Sequence, residues 1–225
     1  MDRKKAQEQI FEQLASVGDA LGNRHRLKMI SLLSHGEKPV EELAAATGQS
    51  MAAASAHLKV LRAARLVASE KRGRHVYCRL ASPSVAELWM RLREVGEELA
   101  PEVRDAVRTA FDPASAAPLT APEVMSRIRR GRATLVDLRP EVEYAAGRLP
   151  KARNLPFPEL NRRAKELPRK DLLVYCRGPY CVMAFEGVER LREMKFSAER
   201  LAFSVPEWRA AGLPVEVSST SGEPS

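Results

Sequence analysis

Apolar residues recur every three or four positions along the first hundred residues, and the pattern switches to alternation only once. Ile10, Leu14 and Val17 form a first stripe. Asn23 can cap a second helix carrying Leu27, Ile30 and Leu33, which stops at Gly36. Pro39 suits the first position of a short third helix with Glu41 and Glu42 in its first turn, ending near Gly48. Ser50 caps a fourth helix, Met51 to about Ala64. Leu66 to Glu70 and His75 to Leu80 then alternate around Arg72-Gly73-Arg74, which predicts a two-stranded hairpin. From Ser82 to Ala110 the helical period returns, with Leu88, Leu92, Val95, Leu99 and Val103 on a seam suited to a partner helix.

The run from Phe111 to Thr120 is rich in Pro, Ala and Ser, lacks periodicity and reads as a linker. Beyond it, strands and helices take turns. Thr134–Leu138 and Leu172–Tyr175 read as short buried strands, and Pro122–Arg130, Pro158–Glu166 and Val182–Met194 as helices. Such alternation predicts a parallel sheet covered on both faces. The expected division is residues 1–110, a linker at 111–121, a second domain at 122–215 and a disordered tail at 216–225. The fold class is α+β with two domains, the N-terminal one mostly helical and the C-terminal one α/β.

Length and charge narrow the function. A chain of 225 residues can bury two modest cores. It has no run of 18 apolar residues and begins on an amphipathic helix, so no membrane span or secretory leader is expected, and the cytoplasm is the expected compartment. Three cysteines there do not suggest a disulfide scaffold. The net charge of +8 splits evenly, with 18 basic and 14 acidic residues up to position 110 and 19 and 15 after it. Its distribution says more, because Lys59 to Arg79 holds seven basic residues and only one acid, Glu70. That is either a phosphate footprint or a solvated basic face.

Three helices followed by a basic hairpin make a winged helix-turn-helix, with Thr47-Gly48-Gln49 as the turn. The fourth helix then enters the major groove with Gln49, Ser50, Met51, Ala53, Ala54, Ser55 and His57 nearest the bases, and with Lys59 and Arg62 further along. Arg72 and Arg74 on the wing would reach phosphate or the minor groove. His57 has a core position as its alternative. The strings Glu41-Glu42-Leu43-Ala44, Ser55-Ala56-His57-Leu58-Lys59-Val60-Leu61-Arg62, Leu66-Val67 and Gly73-Arg74-His75-Val76-Tyr77 resemble the ArsR family of winged-helix repressors over residues 10–105. The resemblance implies a homodimer built by the first and last helices, with double-stranded operator DNA as partner. Arg65 stands where the family usually has glycine. The paired cysteines many such sensors carry are missing from Glu37-Lys38-Pro39-Val40-Glu41, and Ser82–Ala110 has no histidine, so no metal and no cofactor are expected.

In the second half, Cys176 ends an apolar strand, a loop Arg177-Gly178-Pro179-Tyr180 follows, and Cys181 opens a helix. A thiol between a strand end and a helix N-terminus faces backbone N–H groups and the positive end of the dipole. Both would lower the pKa of Cys176, unless it is simply a buried structural cysteine. Val136-Asp137-Leu138-Arg139-Pro140-Glu141-Val142-Glu143-Tyr144, Gly147–Pro156, the cysteine loop, Pro206-Glu207-Trp208 and Gly212-Leu213-Pro214-Val215 resemble rhodanese domains over residues 120–215. Here Arg148 replaces the usual histidine and Lys151 the usual glycine. Asp137, Arg139 and Glu143 are expected to form a local ion-pair network.

The rhodanese resemblance implies that Cys176 carries a persulfide, with Cys181 either resolving it or packing in the first helical turn. Cys181 stands where the commonest rhodanese loops have arginine, which points away from thiosulfate and toward polysulfide or a low-molecular-weight persulfide as sulfane donor. Cys78, in the wing, reads as structural. The fused pair of domains implies a repressor that senses reactive sulfur. Its alternatives are an active sulfurtransferase with accessory DNA binding, or a trivalent arsenic or soft-metal sensor using Cys176 and Cys181.

Overall fold

Asn23 starts the second helix as its side chain dictates: its oxygen accepts from the backbone N–H groups of His25 and Arg26. The computed structural model describes residues 2–111 and 119–218, and the chain divides into two units, Met1–Leu92 and Arg93–Ser225. Residues 112–118 of the expected linker and 219–225 of the expected tail lie outside the described residues.

The first unit comprises α1 (Arg3–Leu21), α2 (Arg24–Leu33), β1 (Lys38–Pro39), α3 (Val40–Thr47), α4 (Met51–Ala63), β2 (Val67–Arg72) and β3 (His75–Leu80). The helix α5 (Pro83–Leu99) begins in it. Gly48 closes α3 in the left-handed conformation at φ 65°, and the Ser50 side chain accepts from the N–H of Ala53 to cap α4. Pro39 lies one residue before α3, not within it, because it also pairs with Tyr77 in a strand. The sheet order is β1-β3-β2, antiparallel throughout. The wing strand β2 runs two residues beyond the alternating stretch, to Arg72 opposite His75, so Gly73 and Arg74 alone make the turn. Met29, Ile30, Leu43, Leu58, Leu61 and Cys78 form the core, with Trp89 packed partly against it.

Two departures from expectation have clear causes. The helix expected from Ser82 to Ala110 is two, α5 and α6 (Pro101–Phe111). Pro101 has no N–H to continue the ladder and disfavours helical backbone at Ala100, yet it fits as the first residue of a new helix. Arg65 and Lys151, the two positions where the family strings have glycine, both adopt left-handed backbone, at φ 58° and φ 61°. The turns therefore keep the shape glycine normally supplies, at the cost of strain on a residue bearing a Cβ. After Arg65, the N–H of Leu66 still bonds the Leu61 carbonyl at 2.9 Å, so the entry to the wing is retained.

The second unit continues with α7 (Ala121–Arg129), β4 (Thr134–Asp137), α8 (Glu141–Ala146), β5 (Arg153–Asn154), α9 (Leu160–Arg163), β6 (Leu172–Tyr175), α10 (Val182–Glu193), β7 (Ala198–Arg200) and α11 (Val205–Ala210). Its sheet is parallel in the order β5-β4-β6-β7. The segment expected as one helix, Pro158–Glu166, is a single α turn between two 3-10 turns. One apolar cluster, including Leu138, Leu160, Val188 and Leu191, covers one face, and a second, including Met125, Leu149, Leu173 and Trp208, covers the other. The Trp208 indole N–H donates to the Pro214 carbonyl at 2.8 Å, which satisfies the polar atom of a fully buried ring.

Candidate functional site

The cysteine loop lies at the carboxyl end of β6, where open parallel sheets place their ligands. Cys176 follows Tyr175 directly and is 1% exposed; Cys181 is the N-cap of α10 and is 8% exposed. Gly178 takes φ 93°, letting the chain double back so that the Cys181 N–H reaches the Gly178 carbonyl at 3.3 Å. The two cysteines thus sit at the two ends of one tight six-residue loop, and all three cysteines remain free.

The two cysteines act on each other electrostatically. The Cys176 thiol is pushed well up, first by its neighbour Cys181 and then by burial. The Cys181 thiol is lowered, first by its neighbour Cys176 and further by the loop backbone and the Arg177 charge, with burial opposing. At the helix start itself, the Ala184 N–H bonds the Cys181 carbonyl at 3.1 Å.

Arg177 does not face the loop as a spare cation. Its Nε lies 3.0 and 3.1 Å from the two carboxylate oxygens of Glu143, itself 2% exposed. Glu143 therefore holds the loop, whereas Asp137 and Arg139 form the buried ion pair expected of them, with Arg139 Nη2 at 2.6 Å from Asp137 and 2.7 Å from the Gly147 carbonyl. The loop backbone is anchored too. Ser204 Oγ donates to the Cys176 carbonyl, and Arg200 Nη1 donates to the Pro179 carbonyl at 3.2 Å. Glu207 accepts from the Ser204 N–H at 2.9 Å and from Arg93 at 2.8 Å. Tyr180 donates its hydroxyl to Glu97 and lies beneath the Arg93 guanidinium; burial first and Glu97 second raise its pKa. None of Glu143, Ser204 and Glu207 was singled out as holding the loop. Only Ser204-Val205-Pro206-Glu207 carried a readable signal, the S-x-x-E of a capping box.

In the first unit, Met51, Ser55, Lys59 and Arg62 share the exposed side of α4, while Ala54, Leu58 and Leu61 fill the core. Ala54 is completely buried and does not face DNA, because it occupies the inward register of the helix. His57 is half-buried and stacked on His25 at 5.5 Å, with its pKa lowered by burial first and by His25 and Arg26 after it. The stack links α4 to α2. Gln49 is half-buried, Ser50 spends its hydroxyl on the cap, and Arg62 donates to Ser69 at 3.1 Å.

On the wing, Arg74 is exposed at the turn, but Arg72 is not a free cation. Its Nη2 reaches Glu70 at 2.7 Å and Glu37 at 3.1 Å. Cys78 is fully buried with its sulfur 3.3 Å from Ser69 Oγ. Apolar residues stay exposed along α1 at Ile10, Phe11 and Leu14, and along α5 and α6 at Leu88, Leu92, Val95, Leu99 and Val103. Among the described residues, no helix is long and apolar enough to cross a membrane.

Comparison with known proteins gives both halves a relative. Residues 23–69 match the profile of the bacterial regulatory proteins of the arsR family, and residues 120–211 match that of rhodanese-like domains. The HTH-type transcriptional regulator Rv0324 of Mycobacterium tuberculosis is 40% identical over 222 residues, covering 98% of this chain and 96% of its own. A transcriptional repressor SmtB homolog of Synechocystis is 40% identical over 88 residues, 39% of this chain and 64% of its own. Among solved structures, a homodimeric winged helix-turn-helix DNA-binding domain from Mycobacterium bovis is 38% identical, with a TM-score of 0.41, covering 45% of this chain and 92% of that fragment.

Proposed function

This chain belongs to the ArsR family of bacterial transcriptional regulators, in the form that also carries a rhodanese-like domain, and from that premise we propose that it is a DNA-binding repressor whose Cys176–Cys181 pair senses reactive sulfur. Residues 1–110 read operator DNA and dimerise, and residues 122–215 take up sulfane sulfur, in a reducing cytoplasm. One observation carries the sulfur half of this reading: two free, buried cysteines at the two ends of one six-residue loop between a strand end and a helix N-terminus. Such a pair can gain a sulfur on one thiol and resolve it with the other.

The donor follows from charge. With Arg177 committed to Glu143, the loop offers a dianionic thiosulfate no bidentate partner, so polysulfide or a low-molecular-weight persulfide is the better substrate. For the DNA half, the exposed row Met51, Ser55 and Lys59, with Arg74 on the wing, supports major-groove docking dominated by phosphate and apolar contact. The exposed apolar stripes of α1, α5 and α6 support a homodimer.

The test is operator affinity by electrophoretic mobility shift at fixed salt, for reduced protein and after treatment with inorganic tetrasulfide. Affinity should fall by at least tenfold on treatment, without catalytic turnover of the donor. Unchanged affinity with steady turnover would favour a sulfurtransferase and overturn the sensor.

A further inference from the structure

We propose that the amino edge of the parallel sheet in the second unit is a further contact for duplex DNA, holding its phosphate backbone; this rests on the DNA-binding reading above and not on the sulfur chemistry. Charge points there first. Residues 111–225 carry as much excess positive charge as the DNA-reading half, with 19 basic residues against 15 acidic. Six of those cations gather at one edge, all exposed: Arg127, Arg129, Arg130 and Arg132 around the end of α7, and Arg169 and Lys170 just before β6. Asp171 and Glu199 are the acids beside them. Six cations against two acids match the excess of the whole half, so the rest of it is neutral.

The backbone laces this edge together. The Arg132 N–H donates to the Arg127 carbonyl at 2.9 Å, Thr134 to Asp171 at 2.8 Å and Ser197 to Arg169 at 2.8 Å. Ser126, Arg127, Arg130, Arg132 and Asp171 line a shallow hollow of about 440 Å³. Arg127 is paired with Glu199 at 3.5 Å and Arg169 donates to the Met194 carbonyl at 2.7 Å. Among the described residues, Arg129, Arg130 and Arg132 make no ion pair. A site for one small anion would enclose its cations. Exposed guanidiniums along an open rim suit a polyanion instead, each meeting a separate phosphate, and the polyanion partner of a DNA-binding regulator is duplex DNA. The rim lies at the opposite end of β6 from Cys176, about 13 Å along a four-residue strand, so DNA held there leaves the cysteine loop open.

Fluorescence anisotropy of the full chain tests the contact, on a random-sequence duplex of about 40 base pairs between about 50 and 200 mM salt. Arg129→Gln combined with Arg130→Gln and Arg132→Gln should weaken binding at least about tenfold at about 100 mM salt. It should also flatten the slope of log affinity against log salt by about 2, as two or three phosphate contacts at about 0.9 each require. The three matching Lys substitutions should keep the slope, because an ammonium also displaces a counterion. Arg153→Gln with Arg162→Gln and Lys165→Gln removes equal charge from other exposed positions of the second unit, and should leave the slope within about 0.5 of wild type. An unchanged slope in the rim variant, or an equal fall in both glutamine triples, overturns the contact while the DNA-binding reading stands. A wild-type chain with no affinity for the duplex overturns that reading itself.

Discussion

Arg177 and Glu143 meet fork to fork, a carboxylate 2% exposed holding the one guanidinium of the cysteine loop. The contact neutralises the loop's own cation, and so it sets which donors the loop can accept. Glu143→Gln should free Arg177 for anions. Thiosulfate should then load the cysteines at least about tenfold faster than it loads the wild-type chain, with tetrasulfide loading changed much less. Intact mass spectrometry under matched donor concentrations reads both. Equal slowness with thiosulfate in the variant would mean the pair does not govern donor choice.

The wing makes a comparable commitment at Arg72, which must leave Glu37 and Glu70 before it can meet a phosphate. Glu37→Gln should tighten binding to operator and random DNA alike and steepen the salt dependence by about one phosphate contact, a slope change near 0.9. Arg72→Ala combined with Arg74→Ala should do the reverse, weakening all sequences together. A change in sequence preference with no change in salt slope would assign the wing to base reading.

Dimerisation can be tested on the exposed apolar row. Leu92→Glu should give monomers in sedimentation equilibrium and lose operator binding, because the seam would bury an unpaired carboxylate. A variant that sediments as a dimer would move the interface elsewhere.

Arg65 and Lys151 supply a stability experiment with a defined sign. Glycine relieves about 1–2 kcal/mol of left-handed strain and costs about 0.5–1 kcal/mol of extra freedom in the unfolded chain. Lys151→Gly should therefore be neutral or stabilising by up to about 1 kcal/mol, whereas Lys151→Val should destabilise by more than about 1 kcal/mol. Urea unfolding midpoints distinguish the two.

The buried pair gives the largest expected loss. Asp137→Ala leaves the fully buried Arg139 without its carboxylate and should cost about 3–5 kcal/mol in the second unit. A loss below about 1 kcal/mol would mean that water or another group takes over the guanidinium.

Long periodic elements were legible in the sequence because many positions repeat the same signal: α2, α4, α10 and the hairpin follow from cap, stripe and turn. The elements that escaped are short or carry competing signals. Lys38–Pro39 and Arg153–Asn154 pair for two residues each, too few to show alternation. Ala198–Arg200 ends on two charged residues that read as surface. The break at Pro101 was hidden because Leu99 and Val103 keep helical spacing across it. At the candidate sites the loop and its cysteines are legible, but the residues that hold the loop from elsewhere in the chain, Glu143, Ser204 and Glu207, are not, nor is the direction in which side chains point. That Ala54 turns inward and His57 leans on His25 are matters of register within a single helical turn.

The placement of the two tryptophans has a spectroscopic consequence. Trp208 is sealed in the second unit with its indole N–H on the Pro214 carbonyl, and Trp89 is partly covered at the edge of the first unit's core. The sealed indole should emit toward the blue and resist quenching by iodide, and the other should emit further to the red and quench readily. Trp89→Phe leaves an intrinsic optical reporter of the second unit alone, and Trp208→Phe one of the first. Whether sulfur uptake loosens one unit before the other can then be followed by emission wavelength, with no label attached.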